Sequence, residues 1–344
     1  MKCILFCQDN YAFGILEPIK TYLIENGHDC LWYINKKIIT DFPFNNEQNT
    51  TSITTLKEYQ SDAIFVPGNE VPHYLRGLKV QIFHGLAGEK KGHFRIRHYF
   101  DLYLTQGPYF TKEFNKSKSI YKNFHVIETG WPKLDIYAAD KLLYHEEKNE
   151  LLVKFSAKKI ILYAPTFSPK LTSAPFLINQ IKLLSKNNDY LILLKFHPLM
   201  DENWLDVYKK LADETSNIIF ETEKNIIKFL LIADILVSDT SSVIYEFLLL
   251  NKPVITFQNI SENILWENSL NYSELVELVE KNLREDLYSK ERKFIFDNYH
   301  PYNDGKSAKR MVESVLNYIK VNSVPEKRKI SILRKLKINS IFKK

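Results

Sequence analysis

Short apolar runs alternate with stretches of helical period along most of this chain. In the first 140 residues the runs at 2–7, 30–34, 63–66, 80–83, 102–105 and 125–127 predict strands. Between the first two, residues 16–26 carry a helical pattern that Gly27 closes. Each run ends near Gly, Pro, Asn or His, and the carboxyl ends of parallel strands are where α/β proteins place ligand-binding groups.

Residues 142–157 are charged and helix-like, which suits a connection between domains. A second series then begins, with strands predicted at 160–163, 190–196, 218–220, 235–237 and 254–257 and helices between them. Helical segments near 273–297 and 304–321 close the pattern. The expected fold is α/β: two doubly wound domains facing each other across a cleft. We expect a first domain over 1–145, a second over 158–325 and a tail over 326–344.

The length of 344 residues suits two domains, and 45% hydrophobic with 26% charged residues is ordinary for a water-soluble chain. No segment reaches about 18 uninterrupted apolar residues, and residues 1–10 lack both a basic region and a cleavage site. These features predict a cytoplasmic protein. Cys3, Cys7 and Cys30 fall in predicted strands without paired spacing, as expected of core thiols in a reducing compartment.

Net charge is +6, but it is unevenly placed. Residues 326–344 carry eight Lys or Arg against Glu326, whereas the remaining 325 residues carry 39 basic and 40 acidic side chains. The body is therefore not a nucleic-acid-binding surface. In the tail, Ile330, Leu333, Leu336, Ile341 and Phe342 interleave with the cations. That pattern predicts either peripheral contact with the inner, anionic leaflet of a membrane or a solvated tail.

Chemistry concentrates in four places. The stretch 233–257 reads as a strand ending on Asp239, small hydroxyl residues Ser241 and Ser242 opening a helix, and a second strand after Pro253. Such a turn offers unpaired backbone N–H groups to a phosphate. Pro165 and Thr166 follow the strand at 160–163, and Lys195, His197 and Pro198 end the one at 190–196. His84 and Gly85 follow 80–83, leading into a loop with Gly88, Lys90, Lys91 and Gly92.

A strand-end histidine can take a proton near neutral pH or simply hydrogen-bond a loop. The glycines beside His84 favour close approach to a ligand, and Lys195 beside His197 favours phosphate contact. Glu246 lies one turn along the helix from Ser241 and Ser242, where it could accept bonds from ribose hydroxyls or merely face water. The remaining histidines lack zinc spacing, and no D-x-D pair offers a metal-held diphosphate. No metal and no cofactor are expected.

The blocks HGLAGEKKG (84–92), GWPKLD (130–135), ILYAPTF (161–167), LKFHPL (194–199), ADILVSDTSSVIYEF (233–247), KPVITF (252–257) and DGKSAKR (304–310) stand in the order and spacing of a known family. Over 84–310 the chain resembles the CDP-glycerol glycerophosphotransferases, the teichoic-acid primases and polymerases. The resemblance implies a GT-B fold with the nucleotide in the C-terminal half. It also implies transfer of an alditol phosphate from a CDP-activated donor to a hydroxyl of a lipid-linked or surface glycan.

Carried onto this chain, the resemblance makes His84 the acceptor-side base, with His197 as the second catalytic histidine. His197, Thr166, Asp239, Ser241 and Ser242 would hold the diphosphate. Gly85, Gly130, Pro165, Lys195, Thr240 and Glu246 complete the expected donor site. The chain departs from the family pattern at Leu86, where a threonine is usual, at Lys133 and Leu134, and at Lys195, where an arginine is usual. Lysine does not grip phosphate bidentately as arginine does. A single-addition transferase is expected over a long-chain polymerase. Rival readings are a glycosyltransferase or sugar epimerase of the same fold, and a non-catalytic nucleotide- or glycan-binding protein.

Overall fold

A computed structural model describes the chain except for residues 89–91, 140–142, 224, 329 and 343–344. It divides into two compact units, Met1–Ala139 with Asp297–Lys344, and Asp140–Phe296. Lys90 and Lys91 of the loop after His84, and Lys329, Lys343 and Lys344 of the tail, lie outside the described residues.

The first unit is built on seven strands: β1 (Lys2–Cys7), β2 (Asp29–Ile34), β3 (Asn49–Thr50), β4 (Ala63–Val66), β5 (Leu78–Gln81), β6 (Leu102–Thr105) and β7 (His125–Glu128). All pairs are parallel, in the order β3-β2-β1-β4-β5-β6-β7. β4 and β6 are buried along their whole length, as strands covered by helices on both faces must be. The order reverses between β1 and β4, so the chain leaves the carboxyl ends of these strands in opposite directions and opens a crevice there.

The first helix, Tyr11–Glu25, begins earlier than its pattern predicted and contains Pro18. Ala12, Phe13, Ile15, Leu16, Ile19 and Leu23 are all buried along one face, and that burial offsets the backbone bond a proline removes. β5 ends two residues sooner than predicted, because Phe83 turns into the left-handed region at φ +62°. His84 thereby leaves the sheet.

The second unit holds β8 (Lys159–Tyr163), β9 (Tyr190–Leu194), β10 (Ile218–Phe220), β11 (Ile235–Ser238), β12 (Val254–Phe257) and β13 (Glu267–Ser269). They form a parallel sheet in the order β10-β9-β8-β11-β12-β13, the same doubly wound plan. Its switch point lies between β8 and β11. Helix Leu275–Arg284 buries Leu275, Leu278, Val279 and Asn282, a single stripe at helical spacing.

The chain end differs from the expected division, because residues from Asp297 onward belong with the first unit. Two distant sequence blocks explain this. The Asp135 carboxylate accepts from Ser307 N at 2.9 Å and Ala308 N at 2.8 Å, capping helix Ser307–Val321 from outside. Gly130 has φ +84°, and a Cβ there would stand 2.5 Å from the Ser307 hydroxyl. Any side chain at this position would push the helix away.

Arg310 donates to Thr129 O at 2.7 Å and lies over the Tyr302 ring at 4.2 Å. Buried His300 accepts from Trp131 N at 2.9 Å. Burial, helped by the Arg310 charge, lowers its pKa to about 4. Because the folded value lies below the unfolded one, the contribution is complete above about 6.5 and is lost as pH falls toward 4. Acid melts should therefore show the wild type losing more stability over that window than His300→Gln; parallel losses would contradict this.

The tail is not a free arm. Arg328 pairs with Asp101 at 2.5 Å with both side chains buried, and it also donates to Gly77 O at 3.0 Å. Ile330, Ile338 and Phe342 enter the first unit's core, with Phe342 edge-on to Phe6 at 5.6 Å. The expected apolar stripe is therefore divided: Leu333, Leu336 and Ile341 stay exposed, together with Ile332.

Candidate functional site

In the second unit, the carboxyl ends of β9, β8, β11 and β12 lie side by side. Asp239, directly after β11, ties three of their loops together. Its carboxylate accepts from Thr166 N, Ser173 N and Ser173 Oγ at 2.8, 2.8 and 2.9 Å, and from Thr240 N at 2.7 Å. Asn259, after β12, donates to the Asp239 carbonyl at 2.5 Å. Tyr163 OH and Ser173 Oγ extend the network at 2.9 Å.

Asp239 is completely buried. Burial pushes its carboxyl above the ordinary range, and the four donors draw it back. Asp239, expected to hold phosphate, accepts from protein donors through both of its carboxylate oxygens. Its work is to fix the loops that reach solvent.

Those loops present small polar groups. Thr166, Thr240, Ser241 and Ser242 are half-buried. Ser241 Oγ accepts weakly from Val243 N at 3.4 Å, and Ser242 makes no side-chain cap bond. The helix they open, Val243–Leu248, has only six residues, so its dipole is small and attraction for an anion falls to the loop itself. Pro165 is buried and serves the backbone. Glu246 is also buried at 5% exposure, unlike a solvated helix glutamate.

His197 follows β9 and is exposed, with its ring stacked on Phe167 at 4.4 Å. Its Nδ1 receives the Leu199 N–H at 3.1 Å, so the proton of the neutral ring sits on Nε2. Burial of part of the ring and the Lys195 charge lower its pKa, favouring that neutral form. In that form the ring presents Nε2–H as a hydrogen-bond donor. Lys195 is 6% exposed, and its ammonium donates to Phe196 O at 3.2 Å.

In the first unit, His84 stands exposed just beyond β5. Its Nδ1 lies 3.0 Å from Pro67 O, and a carbonyl can only accept. The proton of the neutral ring is then on Nδ1, which makes Nε2 the unprotonated nitrogen. Tyr11, beyond β1, stacks on the ring at 5.0 Å. Gly85 is half-buried, and its carbonyl accepts from Gln106 Nε2 at 2.8 Å. Gly130, expected at the donor site, lies against Tyr302 and Ser307 of this unit.

Sequence reasoning missed Ser173, Asn259, Tyr11, Gln81 and Gln106. Tyr11 could have been found from its place at the switch point after β1; the amides carry no comparable signal.

The sequence model of the CDP-Glycerol:Poly(glycerophosphate) glycerophosphotransferase family matches residues 80–263, more than half of the chain. The chain belongs to this family. Among curated relatives, the teichoic acid glycerol-phosphate primase of Bacillus subtilis is 28% identical over 239 residues, covering 63% of this chain and 58% of that protein. The teichoic acid poly(glycerol phosphate) polymerase of Bacillus spizizenii is 28% identical over 248 residues, covering 66% and 55%. The chain thus spans little more than half the length of these relatives.

Among solved structures, the wall teichoic acid polymerase TagF superposes with a TM-score of 0.69 at 19% identity, covering 93% of this chain and 89% of that one. The UDP-GlcNAc 2-epimerase of Neisseria meningitidis gives 0.65 at 15%, covering 92% and 100%. These neighbours share the GT-B-like fold that the family resemblance implied. Within the family pattern, Leu86 replaces a usual threonine with a fully buried side chain, so the position packs the loop base here.

Proposed function

We propose that this chain transfers glycerol phosphate, or a related alditol phosphate, from a CDP-activated donor to a hydroxyl of a lipid-linked or cell-surface glycan, releasing CMP. One observation carries the reading. The Nδ1–H of His84 is committed to Pro67 O, so the ring offers Nε2 as a base at the carboxyl edge of a doubly wound sheet. Membership of the glycerophosphotransferase family and likeness to a glycerol-phosphate primase support the donor class.

In this reading Nε2 of His84 takes the proton of the acceptor hydroxyl. The oxygen forms a bond to the phosphorus distal to cytidine, the bond from that phosphorus to the bridging oxygen breaks, and CMP leaves with the electron pair. Thr166, Thr240, Ser241, Ser242 and the Nε2–H of His197 hold the diphosphate through neutral donors. Positioning and charge stabilisation supply most of the acceleration, as in other phosphoryl transfers.

Release of CMP from CDP-glycerol in the presence of a glycan acceptor, compared with CDP-ribitol and UDP-sugars, tests this directly. A cytidine donor is expected to be consumed. Preference for a UDP-sugar over both cytidine donors would overturn the reading, and tight nucleotide binding without turnover would make the chain a binding protein.

The same reading includes work at the cytoplasmic face of a membrane. Among the described residues, no helix is long and apolar enough to cross a bilayer. The exposed Ile332, Leu333 and Leu336, beside Lys335 and Lys337, support peripheral contact with an anionic leaflet. Sedimentation with vesicles containing phosphatidylglycerol should be lost in a triple Ser variant of these apolar positions; equal sedimentation would remove the helix from the surface.

A further inference from the structure

Two buried glutamines flank the His84 loop. Gln81 ends β5 and is 1% exposed, and its Nε2 lies 3.3 Å from Val66 O, 3.3 Å from Pro67 O and 2.9 Å from Gly68 O. Three carbonyls converge on this nitrogen, so the atom facing them must be the NH2 and not the amide oxygen. Gln106, just beyond β6, is fully buried and holds Gly85 O from the other side at 2.8 Å.

The opposite ends of both amides are informative. Among the described residues, Oε1 of Gln81 and Oε1 of Gln106 are buried without a hydrogen-bond partner. Leaving a buried acceptor unpaired is unfavourable, so each side chain tolerates one unmet oxygen in order to aim its NH2 at the loop. A leucine or methionine would remove the unmet oxygen but would strand the loop carbonyls that the NH2 groups serve. Function at the loop is the evident return.

Pro67 O is where the two systems meet: it receives both the Gln81 amide and His84 Nδ1–H. A neutral imidazole in water samples both tautomers, and only the one bearing its proton on Nδ1 offers Nε2 as a base. Fixing Pro67 O therefore fixes which nitrogen can act.

We propose that Gln81 and Gln106 are positioning residues for His84, clamping the turn 66–68 and Gly85 so that the ring is held in the tautomer with Nδ1 protonated and Nε2 unprotonated. This rests on the reading of His84 as the acceptor-side base. The residues touch no reacting atom themselves. Their effect runs through the carbonyl of Pro67 and the backbone at Gly85.

The test uses the full chain with 15N-labelled histidine and the variants Gln81→Met and Gln106→Met. Val80→Ala serves as the stability control, since its side chain points to the opposite face of β5. In the wild type, His84 should show protonated Nδ1 and unprotonated Nε2. In Gln81→Met the two forms should mix, and kcat for CMP release should fall about 10- to 100-fold with donor KM nearly unchanged.

A pure Nδ1–H tautomer in Gln81→Met, or a fall in kcat no larger than in Val80→Ala, would overturn the proposal. If Gln81→Met does not fold, Gln106→Met decides on the same readouts. The nitrogen spectra need no turnover. Mixed tautomers in a variant of a protein inactive toward CDP-glycerol would uphold the clamp and reject the assigned reaction.

Discussion

His84→Asn should lower the rate of CMP release by about 10²- to 10⁴-fold, the range expected when a general base is removed. Asparagine can still donate to Pro67 O, so the loop keeps its anchor while the lone pair at Nε2 disappears. The loss should therefore appear in kcat, with donor KM nearly unchanged, because the groups assigned to the diphosphate belong to the second sheet. Steady-state kinetics with CDP-glycerol and a glycan acceptor measure both. Near-normal turnover in this variant would dismiss His84 as the base, and a rise in KM alone would make it a binding residue.

Asp239→Ala should produce the largest loss of stability. It strands three backbone N–H groups and the Ser173 hydroxyl in a completely buried place. Orphaned buried donors cost about 1–3 kcal/mol each before relaxation, and partial collapse of the loops leaves a net of about 3–5 kcal/mol. For a unit of this size that corresponds to a fall in Tm of about 10 °C or more. Asp239→Asn should be nearly as damaging, since its NH2 would face one of these donors. Thermal melts followed by circular dichroism give the answer; an unchanged Tm in both variants would mean that the loops do not depend on the carboxylate.

The sequence made the parallel strands legible because strands buried on both faces are written as uninterrupted apolar runs, and β1, β4, β6 and β12 stand out for that reason. β3 and β13 escaped notice because Asn49–Thr50 and Glu267–Ser269 are short, polar edge strands. At the sites, histidines and serines at strand ends announce themselves by residue type. What could not be read was burial: Asp239 and Lys195 are both buried, and a charged residue at a strand end gives no sign of whether it meets solvent. Gln81 was invisible for the opposite reason, being an amide inside a strand whose partners are carbonyls supplied by another loop. The packing of the tail was not legible because its cations dominate its composition, whereas Arg328 pairs with the buried Asp101 and Ile330, Ile338 and Phe342 enter the core.

The return of the chain to its first unit has a consequence for biosynthesis. Residues 140–296 emerge from the ribosome as a complete, independently cored unit. The first unit, although its strands are translated earlier, waits for helix Ser307–Val321 and for Ile330, Ile338 and Phe342. The second unit should therefore complete its core before the first, in reverse of the order in which their strands are translated. Until Ile330, Ile338 and Phe342 have left the ribosome, the sheet that precedes His84 lacks part of its core.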